Sequence, residues 1–166
     1  MSIHPAALPL KKLLATCEKH RSRRRGPGGQ HRNKVETAVT LRHPQTGVQG
    51  EASERRSQSE NLRVALFRLR INLALSVRCT AKDSPSLLWR SRCRGGRILI
   101  NPAHDDFPAI LAEALDTLKT RGGEVKSAAN MLGCTSSQLI KLLKDEPRAL
   151  AQFNVLRTSR GLSALK

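Results

Sequence analysis

Between Asn61 and Arg78 the apolar residues return every three or four positions, so that Leu62, Leu66, Leu69, Leu73 and Val77 fall on one side of a helix and Arg63, Arg68 and Arg70 lie elsewhere. A stripe that long needs a surface to cover it, and the chain just ahead supplies one. From Thr37 the pattern switches to period two: Ala38, Val39 and Leu41, then His43-Pro44 and a Thr46-Gly47 turn, then Val48 to Ala52 returning. This predicts a β-hairpin packed under the helix. Ser57 with Glu60 three residues on forms a capping box for the helix start, and Ser53 offers an earlier one. Strands followed by a covering helix make a small α+β unit.

The flanks read differently. Residues 5 to 18 predict a short helix with Leu10, Leu13 and Leu14 on one face, and Lys19 to Arg25 follow as a basic segment. Residues 80 to 103 hold the turn formers Asp83-Ser84-Pro85-Ser86, Gly95-Gly96 and Asn101-Pro102 around Arg97 to Ile100, which predicts a connector with one strand. Trp89, the single tryptophan, is expected to pack the two halves together rather than to stack on a base.

The remainder is helical. Asp105-Asp106-Phe107-Pro108 opens a helix with Ile110, Leu111, Ala114, Leu115 and Leu118 inward, stopped by Gly122-Gly123. A second helix runs from Glu124 to Leu132 and ends at Gly133. Thr135 with Gln138 caps a third that buries Leu139, Leu142 and Leu143, and Pro147 opens a fourth carrying Leu150, Phe153 and Leu156. Ala128-Ala129-x-x-Leu132-Gly133 followed by Leu139 and Leu142 looks like a helix-turn-helix. The expected organisation is therefore a domain over 1–79, a connector over 80–103 and a helical module over 104–166.

Charge narrows the partner. Thirty Lys and Arg against thirteen Asp and Glu leave +17, a balance suited to a polyanion. Residues 1 to 103 hold 21 of the cations and 6 of the acids, whereas residues 104 to 166 hold 9 and 7, so the first part is expected to meet the nucleic acid. A membrane partner is not expected, because no apolar run approaches spanning length and no basic amphipathic helix carries an aromatic face. Cys17, Cys79, Cys93 and Cys134 form no C-x-x-C pair, and the five histidines do not cluster with them, so neither a metal nor any other cofactor is expected. No secretory signal is visible, and the cytoplasm of a bacterium is the expected location, with a mitochondrial matrix second.

Chemistry is concentrated at Gly26-Pro27-Gly28-Gly29-Gln30, set between Arg23-Arg24-Arg25 and His31-Arg32-Asn33-Lys34. Glycine tolerates close backbone approach, so Gly28 and Gly29 leave the Gln30 backbone N–H exposed as a donor. The surrounding cations attract phosphate. A nucleotide-binding loop is excluded, because no Gly-Lys-Ser/Thr follows and no buried strand precedes. No Ser/His/Asp grouping is present, which leaves a self-contained hydrolase without its parts.

Read in order, the chain has Gly26-Pro27-Gly28-Gly29-Gln30, Asn33-Lys34, Thr37-Ala38-Val39, Leu41, His43, Thr46-Gly47, Arg56-Ser57-Gln58, Asn61 and Ala65-Leu66. Over about residues 8 to 79 this resembles the peptidyl-tRNA hydrolase domain of class I peptide chain release factors and their stand-alone relatives, marked by its Gly-Gly-Gln loop. The resemblance implies an enzyme that hydrolyses the ester between nascent peptide and tRNA in the peptidyl transferase centre of the large ribosomal subunit. Its partners are then the ribosome, rRNA and peptidyl-tRNA. Gly28, Gly29 and Gln30 take the catalytic part: the Gln30 N–H stabilises the developing oxyanion or leaving hydroxyl, and its side chain, often N5-methylated in the family, selects water. Arg24, Arg25, His31, Arg32, Asn33, Lys34, Arg56, Ser57 and Gln58 become the expected RNA contacts.

Two departures from the family stand out. Only 25 residues precede the motif, where release factors carry a stop-codon-reading domain, so codon-independent rescue of stalled ribosomes is the expected role. One kind of rescue hydrolase continues into a Lys/Arg-rich tail, whereas here the helical module follows, with residues 124 to 157 offering a second nucleic-acid or protein contact. The competing expectation is a regulator without hydrolysis that binds ribosomes or nucleic acid through its basic surface and helix-turn-helix.

Overall fold

The computed structural model of the chain describes residues 3–22, 37–81 and 83–166. The chain divides between Val77 and Arg78 into two compact units. The α+β class is what is observed, a three-stranded sheet with a long helix followed by a helical module. No helix among the described residues is long and apolar enough to cross a membrane.

The first unit opens with a 3-10 turn, Pro5–Ala7, and helix α1, Leu10–Ala15. Strands β1 (Glu18–Ser22), β2 (Ala38–Arg42) and β3 (Gln49–Ala52) follow, then helix α2 (Gln58–Ser76). The strands form an antiparallel sheet in the order β1-β2-β3, and α2 lies across β2 and β3. The contact is unusually close at Gly50. A Cβ there would stand 2.7 Å from Leu69 Cα and nearer still to Leu69 N and Ala65 O, so helix backbone rests directly on strand backbone.

Helix α2 starts at Gln58, because the Ser57 Oγ accepts the Glu60 N–H at 3.4 Å. Its core face is Ala65, Leu66, Leu69 and Leu73, against Ala38, Val39, Leu41 and Ala52 of the sheet. Arg70 lies off the leucine stripe, as expected, yet is buried, and its Nε donates to Ala6 O at 3.0 Å. The cause is the N-terminal segment, which covers another side of α2: the His4 Nδ1 accepts the Ala6 N–H at 3.0 Å, so its Nε2 donates to Val77 O at 3.2 Å. The expected helix over 5 to 18 is correspondingly broken into two short pieces with Leu13 alone buried among its three leucines, and Glu18–Ser22 are strand.

The second unit places α3 (Leu87–Arg92) and a small hairpin, β4 (Cys93–Arg94) with β5 (Arg97–Ile98), ahead of four helices. These are α4 (Phe107–Thr120), α5 (Val125–Leu132), α6 (Ser136–Lys144) and α7 (Pro147–Thr158). Helix α4 is the hub, buried at Ile110, Leu111, Ala114, Leu115 and Leu118, and it touches α5, α6 and α7. The stretch expected as a connector instead folds with this unit. Trp89 is buried there and its Nε1 donates to Leu132 O at 2.7 Å, so it anchors α3 to α5 rather than joining the two halves.

Helices α5 and α6 make the expected helix-turn-helix, with Gly133 in the left-handed region at φ 67° and Ala128, Ala129, Leu132, Leu139, Leu142 and Leu143 buried. The Thr135 Oγ1 accepts the Gln138 N–H at 3.2 Å, while the Gln138 side chain turns to β5. In α7 the buried residues are Ala149 and Phe153, with Leu150 and Leu156 half-buried. All four cysteines are unpaired, and burial pushes the Cys134 thiol up to about 12.

Replacing Gly50 by alanine should destabilise the chain by about 1–3 kcal/mol, since a methyl group there meets main chain that cannot rotate aside. Urea unfolding followed by circular dichroism would read this as a lower midpoint; an unchanged midpoint would contradict the direct seating of α2 on β3.

Candidate functional site

Gly28, Gly29 and Gln30, with Arg24, Arg25, His31, Arg32, Asn33 and Lys34, lie outside the described residues. What the structure describes is the frame from which that segment leaves and to which it returns. In the β1–β2 ladder Ser22 pairs with Ala38 at one end and Glu18 with Arg42 at the other. Both ends of the segment are therefore held at the Ser22–Ala38 end of the sheet. Strand β1 is exposed at every position, so backbone hydrogen bonds to β2, rather than apolar burial, keep it in place.

A second tie reaches the returning end from α2. Asn61 is fully buried, and its Nδ2 donates to Thr37 O at 2.7 Å and to Arg55 O at 2.9 Å, while its Oδ1 accepts the Arg55 N–H at 2.9 Å. One carboxamide thus fixes the residue before β2 and the turn that leads into α2. Such a group is the natural choice where two backbone carbonyls and one N–H must be satisfied out of water.

The turn itself is braced by Arg68. Its guanidinium donates to both Glu54 carboxylate oxygens, at 2.6 and 3.3 Å, and to Glu51 O at 2.8 Å. The Ser53 N–H on the Glu54 carboxylate, aided by Arg68, holds that carboxyl below the usual range. Arg56 is exposed and has no side-chain partner among the described residues, as is true of Arg55, Lys19 and Arg21. Lys19 and Arg21, opposite Leu41 and Val39, share the sheet face that α2 covers but lie at its edge. These four cations are thus available to a polyanion, whereas Arg42, Arg68 and Arg70 are committed to Glu18, Glu54 and Ala6.

Of the other two expected contacts on this element, the Ser57 hydroxyl caps α2 and shares a hydrogen bond with Ser59 Oγ at 2.8 Å, and Gln58 is half-buried in the first turn. Sequence reasoning placed Asn61 in the motif without a role and left Arg55 out. Asn in the first turn of an otherwise leucine-rich helix was the available signal. His43 is buried, with its Nδ1 2.9 Å from Thr46 Oγ1, and burial lowers its pKa. It lies past the far end of β2, roughly 16 Å of strand from Ala38, so it braces the β2–β3 turn.

The described part of this surface is a sheet edge that carries Lys19 and Arg21, with Arg55 and Arg56 in the turn before α2. Residues 11–91 match the RF-1 domain, a stretch that begins in α1 and ends in α3. An uncharacterized mitochondrial peptide chain release factor-like protein of Saccharomyces cerevisiae is 44% identical over 64 residues, covering 39% of this chain and 41% of that protein. Mitochondrial peptide chain release factor 1 of Mus musculus is 38% identical over 80 residues, covering 46% of this chain and 18% of its own length. Peptide chain release factor 1 of Xylella fastidiosa is 38% identical over 78 residues, covering 47% and 19%. The chain thus spans less than half the length of each of these relatives. No solved structure gives a significant match.

Two outcomes test the frame. Asn61→Leu should cost about 1–3 kcal/mol for each buried group left unpaired, and hydrogen exchange should show the Arg55 amide losing protection; retained protection would contradict the tie. His43 also makes stability pH-dependent. Its folded pKa lies below the ordinary 6.5, so the unfolded chain takes up the proton first and stability is lost as pH falls below that value. Urea midpoints at about pH 7.5 and about pH 5 should differ more for wild type than for His43→Gln; an equal difference would remove His43 from the account.

Proposed function

We propose that the chain hydrolyses the ester of peptidyl-tRNA on the ribosome through Gly28-Gly29-Gln30, without reading a stop codon. The observation that carries this reading is the RF-1 domain match over residues 11–91, inside which that tripeptide stands intact. The relatives named as release factors support a part in translation release or rescue, with the ribosome as partner.

The reaction needs water to add to the ester carbonyl carbon, a donor to meet the negative charge that gathers on oxygen, and a proton for the departing tRNA hydroxyl. In this reading the Gln30 backbone N–H is the donor, and its side chain admits water while larger nucleophiles are turned away. The ladder partners Ser22 and Ala38, with Asn61 on Thr37, fix the bases of the segment that carries it. Holding a donor in advance avoids reorganisation as charge develops, and loss of one such donor costs about 2.7–4 kcal/mol. Arg55, Arg56, Lys19 and Arg21, together with the cations between residues 23 and 34, supply the attraction to rRNA. Beyond the RF-1 match the chain continues into helical elements.

The test mixes the purified chain with ribosomes stalled on a message lacking a stop codon and loaded with labelled peptidyl-tRNA. Wild type should free the peptide, with or without a stop codon in the decoding site. Gly29→Ala should slow release by about 100- to 1,000-fold, the scale set by losing one positioned donor. Equal release by the two proteins, or no release by wild type, would favour the non-catalytic regulator instead.

A further inference from the structure

The hairpin of the second unit has a composition that its own stability does not explain. Gly95 and Gly96 both stand in the left-handed region, at φ 55° and 76°, as a tight two-residue hairpin turn requires. Cys93 pairs with Ile98 and Arg94 with Arg97. Directly opposed residues point to one face, so the two arginines share a face and Cys93 and Ile98 share the other.

The second face is the one turned to the helix-turn-helix. Cys93 Sγ donates to Gly133 O at 3.5 Å, the Thr135 N–H to Gly96 O at 3.0 Å, and the Ile98 N–H to Gln138 Oε1 at 3.1 Å. The arginine face is consequently directed away from it. Arg94 and Arg97 are both exposed, and neither has an ion pair or a side-chain hydrogen bond among the described residues. Nothing lies within 4 Å of the place a side chain at Gly95 would occupy, so the tip is open on that side. Like charges set opposite each other weaken a strand pair, and among the described residues no carboxylate pairs with either arginine.

Helix α6, to which the hairpin is bonded, adds charge of the same sign. Ser137, Lys141 and Lys144 are exposed along one row, and the lysines have no partner among the described residues. Of the two acids that follow, Glu146 is engaged by Arg148 at 2.7 Å, leaving Asp145. The side chain on this helix best suited to reading a base edge, Gln138, has its oxygen occupied by Ile98. The guanidinium fork matches the two oxygens of a phosphate, and such contacts position a protein on a nucleic acid without reading its sequence.

We infer that the Arg94-Gly95-Gly96-Arg97 hairpin binds the phosphate backbone of structured RNA, with Lys141 and Lys144 adding attraction. The choice of RNA rests on the release reading above; the phosphate contact rests on the hairpin. It gives the second unit a grip on RNA separate from the Gly-Gly-Gln segment.

The experiment compares the full chain with Arg94→Ser/Arg97→Ser in a salt titration of binding to a labelled RNA stem-loop, a DNA stem-loop of the same sequence, and polyglutamate. The double variant should lower the log–log salt slope on RNA by about 1.4–1.8, the share of two phosphate contacts. Its urea midpoint should stay level or rise as the repulsion is removed, and Arg94→Lys/Arg97→Lys should recover most of the slope. An unchanged slope on RNA overturns the inference, as does a loss confined to the DNA or to polyglutamate. Gly29→Ala separates the two readings, because it should slow peptide release by about 100- to 1,000-fold and leave the RNA slope at the wild-type value. Failure of wild type to release peptide therefore counts against the release reading, and an unchanged slope in the arginine variant counts against the hairpin.

Discussion

Main chain resting on main chain at Gly50 sets the geometry of the first unit. With no side chain at Gly50, the helix comes down onto β3 until Ala65 and Leu69 touch the strand. Leu41 pairs with Gly50 in the ladder, so the same approach closes the core around Leu41, Leu69 and Leu73. It also sets where Asn61 falls, one helical turn before Ala65 and within reach of Thr37 and Arg55. The strand–helix spacing is thus translated into the position at which the segment between β1 and β2 returns to the sheet.

Much of this was legible in the sequence because burial leaves a period. The β2–β3 hairpin and α2 announced themselves by alternation and by the leucine stripe, and Ser57 marked the helix start. Strand β1 did not, for a physical reason: Glu18–Ser22 is an exposed edge whose charges discourage pairing with other chains, and backbone bonding leaves no trace in side-chain pattern. The burial of Arg70 left no mark in the stripe, because α2 is covered on more than one side and a guanidinium can be buried when its donor meets a carbonyl such as Ala6 O. The residues of the Gly-Gly-Gln segment were legible as a motif, while Asn61, which holds its returning end, was visible as a letter without a role.

The second unit repeats the lesson with different chemistry. Four helices followed from their caps and glycine stops, yet α3 and its hairpin passed for a connector because Leu87 is largely exposed and Trp89 alone points inward. Once Trp89 is bonded to Leu132 O and Ile98 to Gln138, the turn-rich stretch becomes part of the helix-turn-helix surface. Arginines sort in both units by the same criterion. Those with a carboxylate or carbonyl partner brace turns and helix ends; those without one among the described residues, in a chain of +17, are the cations that the proposed RNA contacts draw on.

These strands of the account meet at Gln30. A ribosome-bound structure of the chain on a truncated message would show whether the sheet end at Ser22 and Ala38 delivers the Gln30 backbone amide to the acceptor end of peptidyl-tRNA. The account predicts that amide within hydrogen-bonding reach of the ester oxygen. Density placing residues 28 to 30 away from the acceptor end, with the chain bound elsewhere on the ribosome, would contradict it.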